Sequence, residues 1–72
     1  MYQYRPVEEY MYRPDIGLYL TYGLAVWEDQ RLVKTQHDVC VSKQIVENIA
    51  RMCTDGQLDP VHLMDVILNM LP

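Results

Sequence analysis

The stretch from Val41 to the end of the chain is what most constrains the rest. Val41-Ser42-Lys43-Gln44 opens a helix, Thr54-Asp55-Gly56 closes it, and Asp59-Pro60 opens a second that runs to the terminus. Asp59 is a capping acceptor, and Pro60 at the first helical position lacks only a donor that would go unpaired anyway. On the second helix His62, Asp65 and Asn69 share one narrow polar stripe. Val61, Leu63, Met64, Val66, Ile67, Leu68, Met70 and Leu71 fill the rest of its girth. Such a helix needs cover on more than one side. A chain of 72 residues offers little, because at this size only about 60% of the unfolded surface is buried. Leu63 and Ile67 suit the domain's own core. Met64, Leu68 and Leu71 are left on a flank without an evident partner.

The first helix has a complete set of local signals. Ser42 is its N-cap, and Val41 and Val46 are spaced for a hydrophobic staple. At 100° per residue Ile45, Val46, Ile49, Met52 and Cys53 gather on one face, with Ala50 beside them. Gln44, Glu47, Asn48 and Arg51 take the other face. Glu47 and Arg51 form an i,i+4 pair in the favourable order. Gly56 is the natural C′ residue or turn centre.

Upstream the period changes from helical to two. Residues 16–27 read as a strand with Leu18, Leu20, Tyr22, Leu24 and Val26 on an apolar face. Tyr19, Thr21, Gly23, Ala25 and Trp27 fall on the other face, where Gly23 marks a bulge or a close approach. Glu28-Asp29-Gln30-Arg31 is a polar turn. Leu32 to Val41 returns as a second strand, with Val33, Thr35, His37, Val39 and Val41 on one face. The short connection makes the pair an antiparallel hairpin. Residues 1–15 hold four of the six Tyr and are interrupted at Pro6 and Pro14. Proline confines this segment to an edge strand or an extended arm. A helix from Val7 to Tyr12 is the competing reading.

Composition excludes some functions. The formal charge is −4, without a Lys/Arg cluster. Phosphate neutralisation supplies most nucleic-acid affinity, so a nucleic-acid partner is not expected. Anionic membrane surfaces are disfavoured for the same reason, and no apolar run is long enough to span a bilayer. Cys40 and Cys53 without a secretion signal read as reduced thiols in a cytoplasmic protein.

Three constellations could carry chemistry, and each has a simpler reading. His37, Cys40, Cys53 and His62 could supply zinc ligands. However, their only close pair, His37-x-x-Cys40, would point to opposite faces of a strand, so no metal or cofactor is expected. His62 and Asp65 could touch as a general-base pair, but nothing nearby supplies a nucleophile or a concave site. Two helices joined by a turn invite a DNA-binding reading, but the second helix presents no Arg or Lys. No enzymatic activity is expected.

From Tyr19 onward the chain resembles a family of small Firmicute, largely clostridial, proteins known only as a domain of unknown function. The matching pieces are Tyr19-Leu20-Thr21-Tyr22-Gly23-Leu24-Ala25-Val26, Asp38-Val39-Cys40-Val41-Ser42, and Leu58-Asp59-Pro60-Val61-His62-Leu63-Met64-Asp65-Val66. The likeness covers about three-quarters of the chain. It departs at Ile67-Leu68-Asn69-Met70, where the family tends to carry acidic residues. It implies a strand–strand–helix–helix order and carries over no established activity.

The expected fold is α+β: a two- or three-stranded antiparallel sheet followed by an α-hairpin packed on one face. Residues 1–15 form a Tyr-rich arm or edge strand, and residues 16–72 a single small domain. The expected core is Leu18, Leu20, Leu24, Val26, Ile45, Ile49, Leu63 and Ile67. The expected function is a non-enzymatic protein–protein interaction or regulatory module, self-associating as a homodimer through the last helix. Interface residues would be Tyr4, Tyr10, Tyr12, Met64, Leu68 and Leu71, since Tyr is enriched where binding energy concentrates. The alternative is a small acidic inhibitor, carried by a phage or mobile element, that blocks a host nuclease such as a CRISPR effector. Acidic residues clustered on one face would favour it.

Overall fold

The computed structural model describes residues 1–72, and its architecture is a three-stranded antiparallel meander followed by two helices. Strands β1 (Tyr2–Arg13) and β2 (Gly17–Glu28) form a long hairpin, and β3 (Arg31–Cys40) returns along β2. The first turn follows from Pro14, whose fixed φ suits the second position of a type I turn. Ile16 N–H donates to Arg13 C=O at 3.2 Å across it, and Gly17 then takes φ 78°. The second turn is the expected one. Glu28 pairs with Arg31, leaving a two-residue loop in which Asp29 adopts φ 57°. A positive φ at that position matches the right-handed twist of the strands.

Residues 1–15 are therefore neither an arm nor a helix. Every residue from Tyr2 to Arg13 pairs with β2, from Tyr2 opposite Glu28 to Arg13 opposite Gly17. Pro6 is tolerated because β1 is an edge strand.

Helix α1 (Lys43–Asp55) begins as expected, with Ile45 N–H donating to Ser42 Oγ at 3.4 Å. The staple contributes little, because Val41 remains exposed. Arg51 donates to Asn48 Oδ1 at 3.0 Å rather than pairing with Glu47, and the same oxygen accepts from Gln44 at 3.0 Å. The helix ends in a Schellman motif displaced by one residue from the expected position. Gln57 N–H donates to Thr54 C=O at 3.1 Å and Leu58 N–H to Cys53 C=O at 2.9 Å. Gly56 keeps a helical φ of −86°, and Gln57 holds the left-handed position at φ 49°. The chain turns where Gln57 can also reach β1, and this outweighs glycine's local preference.

Asp59 caps the second helical segment, accepting from Val61 N–H at 3.0 Å. Its first turn, Pro60–His62, is a 3₁₀ turn that leads into helix α2 (Leu63–Met70).

The core lies between the helices and one half of the sheet. It contains Tyr4, Leu24, Val26, Val39, Val46, Ile49, Ala50, Cys53, Leu63 and Ile67. Ile45 is only half-buried, and Met52 is exposed on α1. Leu18 and Leu20, expected in the core, are exposed. The reason is one of length. A strand of 12 residues spans about 40 Å, whereas a helix of 13 residues spans about 20 Å. The molecule measures 39 × 26 × 19 Å, and its helices cover only the end of the hairpin where the chain begins.

Strand β3 does not keep a single face. Register shifts fall between Tyr22 and Leu24 and between Val26 and Trp27. Val39 is buried whereas Val33, His37 and Val41 are exposed, so the expected alternation is broken. At the first shift, Gly23 alone on β2 faces His37, Asp38 and Val39 on β3. A Cβ on Gly23 would lie 2.5 Å from Gln36 C=O, which is why the position is glycine.

Candidate functional site

The hairpin's uncovered end presents an organised surface. Tyr10 pairs with Leu20 and Tyr12 with Leu18. All four share the sheet face that carries Leu24 and Val26 into the core, because they stand at even spacing from them. With no helix above them, Tyr10 is 67%, Tyr12 69%, Leu18 69% and Leu20 38% exposed. Ile16, in the adjoining turn, is also exposed. The result is an apolar, Tyr-rich patch built from adjacent cross-strand pairs.

The backbone edge beside this patch is treated differently along its length. At Tyr2 the Gln57 amide closes both backbone groups: Tyr2 N–H donates to Oε1 at 2.8 Å, and Nε2 donates to Tyr2 C=O at 2.9 Å. At Tyr4 the Thr54 hydroxyl accepts from N–H at 2.9 Å and donates to C=O at 3.4 Å. Their backbone groups therefore point away from β2. Antiparallel alternation turns those of Glu8, Tyr10 and Tyr12 the same way. Pro6, between the two stretches, has no N–H to offer. The last turn of α1 and the turn after it thus close one part of the edge, and the rest remains open.

On the opposite face a polar cluster spans all three strands. Glu9 Oε2 accepts from Asp38 N–H at 2.7 Å, and Glu9 Oε1 lies 2.9 Å from His37 Nδ1. Asp38 accepts from Tyr19 O–H at 2.5 Å and from Thr21 O–H at 2.8 Å. The Tyr19 bond, then the Thr21 bond, hold the Asp38 carboxyl below its ordinary pKa, and Asp38 in turn raises that of Tyr19. Asp38 sits at φ 52°, a conformation that an Asp keeps only when its surroundings hold it there. Every bond in the cluster serves to hold this bulge. The His37–Glu9 pair resembles half of a catalytic arrangement, but its carboxylate is committed to the backbone of β3. Sequence reasoning missed the cluster because its partners are distant: Glu9 and Asp38 lie 29 positions apart. Only Gly23 signalled it.

The other residues singled out from the sequence are dispersed. Tyr4 is core, 4% exposed, and donates its hydroxyl to Leu58 C=O at 2.5 Å. It is therefore not on a surface. Burial is the main reason its pKa is pushed up to about 12. On α2, Leu63 and Ile67 are buried as expected, while Met64 and Leu68 are exposed. Leu71 packs partly against the core. Cys53 is buried, which raises the thiol's pKa. Cys40 is half-buried and accepts from Ser42 N–H at 3.5 Å. No three His, Cys, Asp or Glu side chains converge as metal ligands would. No helix is long and apolar enough to cross a membrane.

Two clefts are present, both away from the hairpin's open end. One, of about 280 Å³, is lined by Met1, Tyr2, Gln3, Asp29 and Thr54. The other, of about 160 Å³, lies between the helices against Met52, Cys53, Gly56, Leu58 and Val66.

The chain belongs to a family of unknown function, DUF6514, whose model matches residues 1–72. The match takes in β1 as well as the part from Tyr19 onward. No curated protein and no solved structure matches the chain.

Proposed function

We propose that this DUF6514 member is a non-enzymatic protein–protein interaction module of the cytoplasm, working through the open end of its hairpin. The observation that carries this reading is the exposure of Tyr10, Tyr12, Leu18 and Leu20 as two adjacent cross-strand pairs. Single exposed hydrophobes are ordinary, but a contiguous apolar patch on a small domain marks a contact site. Two of its four members are Tyr, which combines apolar area with a polar tip that tolerates water. The interface expected from the sequence is thereby relocated in part. Tyr10 and Tyr12 stay in it, the buried Tyr4 leaves it, and Met64 and Leu68 form a separate exposure with Val61 at the second helical segment.

A non-enzymatic role also fits the clefts and the polar cluster. A catalytic site needs a concave place where acid, base and substrate converge. The two clefts lie elsewhere, and Glu9 and Asp38 are occupied in holding the bulge. The alternative, a small acidic inhibitor of a host nuclease, rests on the net charge of −4 alone.

Photo-crosslinking in the native host tests the reading. A benzophenone side chain at Tyr12 or Leu18 should give discrete crosslinked protein products, to another chain or to itself. The same probe at exposed Glu47 should not. Absence of product at both hairpin positions would overturn the proposal.

A further inference from the structure

We infer that the partner of the open edge is a second copy of this chain, joined strand to strand through β1 about a two-fold axis at Tyr10. This rests on the interaction reading above and names its occupant. The edge's limits supply the first argument. Thr54 and Gln57 close Tyr4 and Tyr2, Pro6 lacks a donor, and the Pro14 turn ends the strand. What remains open is Val7 to Arg13, and its midpoint is Tyr10. A two-fold there pairs the whole open segment with itself, in the isologous manner that symmetric dimers require.

Charge and backbone chemistry select the same register. About Tyr10, Glu8 faces the partner's Tyr12, Glu9 faces the partner's Met11, and Val7 faces the partner's Arg13. No like charges meet, and Arg13 of the partner lies diagonal to Glu9. Moving the axis one step toward the chain start sets Glu9 against its own copy, which is repulsive. Moving it one step the other way sets Glu8 against the turn residue Pro14, which has no N–H. Only the Tyr10 register keeps Glu8, Tyr10 and Tyr12 in matched backbone pairs. The two sheets, each of three strands, then run on as one. The exposed Tyr10 and Tyr12 rings meet across the junction, where aromatic cross-strand pairs are favourable. A single strand pairing lies at the small end of interface sizes, so the dimer should be concentration-dependent.

The test combines sedimentation with register-specific crosslinking on the full chain. The wild type should shift from monomer to dimer over a concentration series extending into the high micromolar range. Tyr10→Lys, which sets like charges across the axis at an exposed position, should remain monomeric with an unchanged circular dichroism spectrum. Leu68→Lys should dimerise like the wild type. Under mild oxidation Tyr10→Cys should form a disulfide-linked dimer through the new thiol. Tyr12→Cys should not, because in this register its copy lies about 13 Å away. A wild type that stays monomeric throughout, a Tyr10→Lys that still dimerises, or a Tyr12→Cys that crosslinks as readily would each overturn the inference. A monomer that still crosslinks to a different protein at Tyr12 in cells would sink the self-pairing and leave the interaction module standing.

Discussion

Gln57 completes β1 at Tyr2 as a neighbouring strand would, its amide making both backbone hydrogen bonds at 2.8 and 2.9 Å. The residues lie 55 positions apart. The same residue carries the left-handed turn that ends α1. One residue therefore ends a helix with its backbone and closes a sheet edge with its side chain. Gln57→Ala should cost about 1–2 kcal/mol from three lost side-chain bonds, two to Tyr2 and one to Thr54 C=O. Gln57→Gly should cost less, because glycine recovers roughly 1 kcal/mol at a positive φ. Urea unfolding would rank them, and amide exchange at Tyr2 should accelerate in both. A Gly variant less stable than the Ala variant would contradict this account.

Gly23 and Gly56 should respond very differently to the same change. A Cβ at Gly23 meets the Gln36 carbonyl at 2.5 Å, backbone against backbone, inside the bulge. Gly23→Ala should therefore cost about 2 kcal/mol or more. At Gly56 the nearest atom is the Met52 carbonyl at 3.3 Å, and φ is already helical. Gly56→Ala should stay within about 0.5 kcal/mol of the wild type. Denaturation midpoints of the two variants decide the matter.

Tyr4 should give the protein an alkaline limit. Its pKa rises from 10 to about 12 on folding, chiefly through burial. The unfolded chain therefore ionises first. Stability from this group is complete below pH 10 and is lost as pH climbs toward 12. Thermal melts across that window should fall in the wild type. In Tyr4→Phe the decline should flatten, although the variant starts lower for want of the bond to Leu58. An equally steep decline in Tyr4→Phe would assign the effect to other groups.

Thr21 and Asp38 should be coupled in acid. The Asp38 carboxyl is held low by bonds from Tyr19 and Thr21, so its contribution to stability is present above the ordinary carboxylate range. It is lost as pH falls through the depressed value. Thr21→Val keeps shape, removes one donor and should cost about 1–2 kcal/mol at neutral pH. It should also raise the Asp38 pKa toward its ordinary value, as read by NMR titration. An unmoved Asp38 in that variant would show that the Thr21 bond is not felt.

The elements, their order and most of their ends were readable from local chemistry. Ser42 and Asp59 cap because a short side-chain oxygen beside free N–H groups needs no distant help. The tight turn at Asp29-Gln30 and the burial of Leu63 and Ile67 likewise follow from spacing alone. Gly23 reported its close approach without saying to what. Whether Leu18 and Leu20 would be covered was decided by tertiary structure, because both are apolar and periodic whether or not a helix lies above them. The answer came from the relative lengths of two layers, a strand of 12 residues against a helix of 13 with less than half the rise per residue. Tertiary structure also moved the left-handed position from Gly56 to Gln57 and assembled Glu9, Tyr19, Thr21 and Asp38 around one bulge. Those bonds join residues from 17 to 55 positions apart, and a pattern read over one or two turns of chain carries no information at that range.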